Sequence, residues 1–179
     1  MSEIIGVIGG GSFGATVAKL LSEKNDVLVY TRRNDVIEEL NKNRTLSGAA
    51  LNERVKGTHN YQEVCEKCSL IFPIIPSTGF RETMKLLSPH LFPYHILIHG
   101  TKGLDIDLIG NEDLSRATID RHKVNTMSEV ISQETSVLRI GSMSGPNLAN
   151  EILAGLPAAC VIASEFDEVI KVGQDALKG

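Results

Sequence analysis

No apolar run among the 179 residues approaches the ~20 needed to span a bilayer, which argues against a transmembrane helix. The first such run, Ile4 to Ile8, breaks at Gly9 to Gly11. It therefore does not read as the apolar centre of a signal peptide, and the cytoplasm is the expected compartment. Excess positive charge is also missing. A formal net charge of −4 gives no global electrostatic reason to expect a nucleic-acid or anionic-membrane partner. Cysteine is scarce, and three unevenly placed thiols exclude a disulfide framework. Cys65 and Cys68 form a C-x-x-C, but no second pair follows at zinc-site spacing and the pair does not open a helix, so inert thiols are expected. Cys160, inside Ala158 to Ala163, reads as a small core residue. No metal-ligand set and no internal repeat is visible. What remains is ample for a core: 42% of the residues are hydrophobic, on a length suited to one large domain.

Gly9-x-Gly11-x-x-Gly14 is the most informative feature present. It follows directly on Ile4-Ile5-Gly6-Val7-Ile8, which reads as a strand buried on both faces, and a helix begins at Ala15 to Leu21. In that context each glycine has a physical task. Gly9 permits a tight turn, Gly11 lets backbone approach phosphates without a Cβ, and Gly14 lets the helix pack closely on the strand. Unpaired N–H groups at the helix start then face an anion, as a dinucleotide pyrophosphate requires.

Val27-Leu28-Val29-Tyr30 reads as the second strand and closes a β-α-β unit. An NAD-preferring site usually places Asp or Glu at the end of this strand, whereas here it runs into Thr31-Arg32-Arg33. Two guanidiniums suit a 2′-phosphate and favour NADPH over NADH. A solvated turn is the competing account of the pair, and Asp35 lies near enough to serve as a ribose ligand.

Strands and helices continue to alternate. Asp35 to Asn43 suggests a helix with Val36, Ile37 and Leu40 on one face, followed by a polar connection to Thr58. Ser69 to Ile75 reads as a strand in which Pro73 argues for an edge position or a bulge. A helix over Thr78 to Leu87 and a strand over His95 to His99 come next, then a polar stretch from Leu104 to Thr135 holding a connection and a helix. Val137 to Gly141 reads as a strand, Leu148 to Ala154 as a helix stopped by Gly155, Pro157 to Ser164 as a last strand and Phe166 to Leu177 as a last helix. The pattern predicts an α/β, Rossmann-type, doubly wound and mostly parallel sheet with helices on both faces, occupying residues 1–179 as one nucleotide-binding domain. Ligands of such sheets collect beyond the carboxyl ends of the strands. Three of those ends carry Pro76-Ser77, Thr101-Lys102-Gly103 and Ser144-Gly145-Pro146-Asn147. A lysine between Gly100 and Gly103 sits on a tight loop aimed at that crevice, where a cation stabilises a developing alkoxide.

Taken together, Gly9-Gly10-Gly11-Ser12-Phe13-Gly14, Pro76-Ser77, Thr101-Lys102-Gly103-Leu104, Ser144-Gly145-Pro146-Asn147-Leu148-Ala149-Asn150-Glu151 and Ala154-Gly155-Leu156-Pro157 resemble, in this order, the motifs of the bacterial NAD(P)-dependent glycerol-3-phosphate dehydrogenases. The resemblance spans essentially the whole chain. It implies cofactor contacts, to NADPH or NADH, from Gly9, Gly11, Ser12, Phe13, Gly14, Arg32, Arg33, Pro76, Lys102 and Ala149. It implies substrate contacts from Lys102, Gly145 and Asn147, the last standing where the family usually has Ser or Thr. The implied reaction reduces dihydroxyacetone phosphate to sn-glycerol 3-phosphate for phospholipid synthesis, in an enzyme whose full-length form is a possible homodimer.

The family's general-acid lysine lies in a G-x-x-x-K-N stretch that these residues do not include, and its C-terminal helical substrate domain is likewise not among them. The expectation is therefore an N-terminal cofactor-binding portion that turns over little by itself. His95 and His99 share a strand face, for which packing or a hydrogen bond is the leading account. His59, His90 and His122 show no partner spacing. Two other readings of the chain are a non-catalytic NAD(P)H-sensing module and a different reductase of the ketopantoate-reductase type.

Overall fold

The computed structural model describes residues 4–106, 121–146 and 148–178. Its strands and helices are β1 (Ile4–Ile8), α1 (Ser12–Leu21), β2 (Asp26–Tyr30), α2 (Asn34–Asn43), β3 (Thr45–Leu46), β4 (Ala49–Ala50), β5 (Val55–Thr58), α3 (Tyr61–Lys67) and β6 (Leu70–Pro73). There follow α4 (Phe80–Leu87), β7 (Ile96–His99), β8 (Asp105–Ile106), β9 (Val124–Asn125), α5 (Met127–Glu134), β10 (Arg139–Ser144), α6 (Ala149–Leu153), β11 (Val161–Ser164) and α7 (Asp167–Leu177).

Seven strands form one sheet in the order β11-β10-β7-β6-β1-β2-β5. All pairings are parallel except β10 with β11. The order runs outward from β1 in both directions, so the switch point lies between β1 and β6, where the glycine turn leaves the sheet. Burial explains the composition of the strands. A parallel sheet is covered on both faces, so β1, β2, β6 and β7 are nearly continuous apolar runs. One cluster joins α1, α2 and α7 to the sheet through Val17, Leu21, Leu40 and Val169. The other joins α3, α4 and α5 through Val64, Phe80, Met84, Leu87 and Ile131. The doubly wound architecture expected from the alternation is the one observed.

Three local expectations are corrected. The polar connection after α2 contains the β3–β4 hairpin and a further parallel strand, β5, paired with β2 from Val27↔Val55 to Tyr30↔Thr58. Its polar residues misled because this edge strand buries only its two ends, Val55 and Thr58, and leaves Lys56 exposed between them. Pro73 lies on a central strand rather than an edge. It is tolerated because it ends β6: the β6–β7 register covers only Leu70↔Ile96 and Ile71↔Leu97, and the Pro73 carbonyl still accepts from Gly100 N at 3.0 Å. Cys160 is exposed beside the edge strand, outside the core. Cys65 lies in the last turn of α3 and Cys68 caps it, both buried. Burial pushes the Cys65 thiol up to about 12, which agrees with an inert pair.

Candidate functional site

The glycine turn is held by backbone sterics. Gly9 has φ +130°, and a Cβ there would stand 2.1 Å from the Ile74 carbonyl oxygen. A Cβ on Gly14 would stand 2.0 Å from the carbonyl oxygen of Gly9, so the first turn of α1 closes on the loop only because neither position has a side chain. Gly11 is different. Nothing lies within 4 Å of its Cβ position, which is the open cradle a bulky anion needs. Gly11 is also the N-cap of α1, no side chain caps it, and the first turn holds no acidic residue. The helix therefore presents uncompensated N–H groups and the positive end of its dipole at the turn.

Gly9, Gly10, Gly11, Arg32, Arg33 and Pro76 line a single cleft of about 620 Å³. Its floor is β-strand and its walls come from α4 and the loops after β2 and β6. Tyr30 and Tyr61 meet edge to face on one wall, with ring centroids 6.0 Å apart. Burial pushes the Tyr30 phenol up, with the nearby charge of Arg32 opposing it. The two arginines are not equivalent. Arg33 forks onto Asp35, with Nη2 donating at 2.6 Å and Nε at 3.3 Å, and this hydrogen bond holds the Asp35 carboxyl below its ordinary value. Arg32 makes no ion pair among the described residues. Both contenders for the strand-end ribose, the guanidiniums and Asp35, thus sit together, with Asp35 engaged by Arg33. The volume, the uncapped helix and the cationic strand end fit a phosphorylated dinucleotide.

Sequence reasoning missed the opposite lip of this cleft. Ser47, in the β3–β4 turn at φ +48°, donates its hydroxyl to the Gly10 carbonyl at 2.8 Å. That bond reaches across 37 residues and ties the hairpin to the glycine turn. Thr78, Gly79, Glu82 and Thr83 also line the cleft. The Ser-Gly pair at 47–48 is a turn signal that locates the hairpin, but nothing local says where the turn docks.

Lys102, Gly145 and Ala149 do not line that cleft. They occupy the neighbouring strand ends, β7 and β10, which are adjacent in the sheet. Thr101 donates its hydroxyl to the Ile75 carbonyl at 2.7 Å, and a Cβ on Gly103 (φ +122°) would stand 2.9 Å from Ser77 Oγ. The loops after β6 and β7 are thereby pressed together, with Lys102 exposed between two fixed neighbours and unpaired among the described residues. Phe13 connects the two ends of the site. A Cβ on Gly100 would stand 3.3 Å from its ring and 2.7 Å from Ile74 Cδ1, and α6, which begins at Ala149, lies against α1. Gly145 has φ +143°. Asn147 lies outside the described residues.

The strand histidines serve the scaffold. His95 is buried, its Nε2 bonded to the Cys65 carbonyl at 2.8 Å and its Nδ1 accepting from Phe92 N at 2.9 Å. His99 closes β7, with Nε2 3.0 Å from Ser128 Oγ and a buried Nδ1 that makes no well-formed hydrogen bond among the described residues. Burial pushes His99 down to about 4, with the Thr101 backbone opposing that shift.

Residues 4–170 match the family described as NAD-dependent glycerol-3-phosphate dehydrogenase N-terminus. The glycerol-3-phosphate dehydrogenase (NAD(P)+) of Psychrobacter arcticus is 32% identical over 176 residues, which are 96% of this chain and 37% of that protein. The corresponding enzyme of Acinetobacter baumannii strain SDF is 32% identical over 179 residues, 97% of this chain and 45% of its own length. Among solved structures, the glycerol-3-phosphate dehydrogenase of Coxiella burnetii superposes with a TM-score of 0.82 at 25% identity, covering 99% of this chain and 51% of that one. The chain therefore spans less than half the length of these two curated relatives.

Proposed function

The chain belongs to the NAD-dependent glycerol-3-phosphate dehydrogenases, matching their N-terminal domain, and from that premise we propose that it is the cofactor-binding portion of an enzyme reducing dihydroxyacetone phosphate to sn-glycerol 3-phosphate with NADPH or NADH. The observation that carries this reading is the meeting of the glycine turn, the uncapped start of α1 and both strand-end arginines in one cleft. When bound, the dihydronicotinamide supplies a hydride to the substrate ketone. The chain's own residues bind and orient. N–H groups at the start of α1, with Ser12 and Phe13 beside them, receive the pyrophosphate. Arg32 takes the 2′-phosphate, while Arg33 contributes fully only on release from Asp35. Lys102, beyond β7, holds the substrate oxygen on which negative charge develops, and Gly145 and Asn147 contact the same three-carbon phosphate. As the hydride arrives, that oxygen must also receive a proton from a positioned general acid. The cytoplasm is the compartment in which the chain would act.

Parallel calorimetric titration with NADPH and NADH tests the cofactor half of the proposal. NADPH is expected to bind about tenfold more tightly, a difference of about 1.4 kcal/mol. Arg32→Ala should abolish most of that preference, and adding Arg33→Ala should remove the rest. Equal binding of both nucleotides before substitution would assign the arginine pair to a solvated turn.

A further inference from the structure

Arg81, the second residue of α4, connects three elements that are far apart in sequence. Its Nε and Nη2 both donate to Asp105 Oδ2, at 2.9 and 2.7 Å. Its Nη1 pairs with Glu134, and Nη2 also donates to Gln133 Oε1 at 2.8 Å. Gln133 in turn donates to Asn125 Oδ1 at 2.9 Å, and Asn125 faces Asp105 across the β8–β9 pair. The cluster is largely shielded from water, with side-chain exposure of 27% for Arg81, 17% for Asp105 and 18% for Glu134. Such shielding makes its geometry more demanding than that of a surface pair.

Position gives the cluster its meaning. Asp105 lies three residues after Lys102. The other end of the same short loop is held by the Thr101 hydroxyl on the Ile75 carbonyl at 2.7 Å. Behind it, the last residue of β7, His99, is bonded to Ser128 of α5 at 3.0 Å, the helix whose far end Arg81 grips. The loop from Thr101 to Asp105 is clamped on both sides, and the one long cationic side chain between the clamps is Lys102.

We infer that Arg81 is a positioning residue: by fixing Asp105 against α4 and α5 it sets where the Lys102 ammonium stands at the substrate end of the site. The inference rests on the proposed role of Lys102 as the cation that meets the substrate oxygen. Arg81 itself does not line the nucleotide cleft, so its loss should affect the two ligands differently.

The test uses the whole chain, dihydroxyacetone phosphate titrated in the presence of saturating NADPH, and NADPH titrated alone. Arg81→Gln should weaken triose-phosphate binding about tenfold while leaving the NADPH Kd within about twofold, a separation that a general loss of structure would not produce. Arg81→Lys, which keeps the charge but cannot fork onto both carboxylates, should fall between the two. Asp105→Asn provides a second route to the same loop without leaving two carboxylates facing each other, and should reproduce the Arg81→Gln result. Amide hydrogen exchange should quicken over residues 101–105 in both variants and stay unchanged over α1. Equal weakening of both ligands, or unchanged triose-phosphate binding alongside a large loss in Lys102→Ala, overturns the positioning role while leaving the proposed function in place. Triose-phosphate binding that is absent from the start, or that Lys102→Ala leaves intact, removes the substrate-end reading and this inference with it.

Discussion

The two ends of the ligand edge are built differently. At the glycine turn, backbone meets backbone: β1 is central, α1 buries six of its ten residues, and side chains at Gly9 or Gly14 would collide with carbonyl oxygens. At the β10–β11 end, α6 buries none of its residues, β11 is an antiparallel edge strand, and Leu148 and Val161 are 62% and 65% exposed. The glycine-turn end is specified by contacts that these residues make among themselves. At the other end apolar side chains face outward, and little local packing fixes α6.

The largest expected effect lies in the first region. Gly14→Val should abolish NADPH binding and destabilise the fold by more than about 3 kcal/mol, since the added atoms have no room to relax against backbone. Gly11→Ala sharpens the contrast. Its Cβ meets nothing within 4 Å, so thermal stability should stay within about 0.5 kcal/mol while nucleotide affinity falls. Unchanged affinity would move the pyrophosphate away from this turn.

Core truncations should divide along the same line. Leu21→Ala, on the buried face of α1, is expected to cost about 3 kcal/mol in urea unfolding, and Leu148→Ala less than about 0.5 kcal/mol. Comparable losses would mean that the outward-facing side chains of the β10–β11 end are covered after all.

His99, between the two regions, supplies a pH-dependent effect of at most similar size. Its folded pKa of about 4 lies below the unfolded value of about 6.5. The unfolded chain therefore binds the extra proton first. The stability contributed by keeping this imidazole neutral is fully present above about pH 6.5 and is lost as pH falls toward 4, with an upper limit of about 3 kcal/mol. Urea midpoints measured across that range should fall with a slope that His99→Gln reduces. Parallel slopes in the two proteins would trace acid destabilisation to other groups.

Much of the fold was legible because its signals are local. Apolar runs marked β1, β2, β6 and β7, and the 3.6-residue spacing of Val36, Ile37 and Leu40 marked α2. The glycine spacing marked the turn with its individual tasks. The strand β5 escaped because Val-Lys-Gly-Thr has no apolar run, and only pairing with β2 makes a strand of it. The helix α5 had a readable start that went unused: Thr126 and Glu129 form a capping box, with Thr126 N donating to the Glu129 carboxylate at 2.6 Å and Glu129 N to the Thr126 hydroxyl at 3.2 Å. Pro73 and Cys160 were misplaced for one common reason. Whether a strand is central or at an edge depends on neighbours that pair from elsewhere in the chain.

The same division separates what the sequence by itself determined from what only the tertiary structure decided. Residue order determined the β-α-β unit, the glycine turn and the presence of Lys102 on a strand-end loop, because φ preferences, helix capping and hydrophobic period act over a few residues. Tertiary structure decided that Ser47 closes over Gly10 and that Arg81 ties the Lys102 loop to two helices. The Ser47 and Arg81 contacts join residues 24 to 53 positions apart. Such contacts form when the sheet brings its carboxyl ends to one edge, and no local periodicity records them.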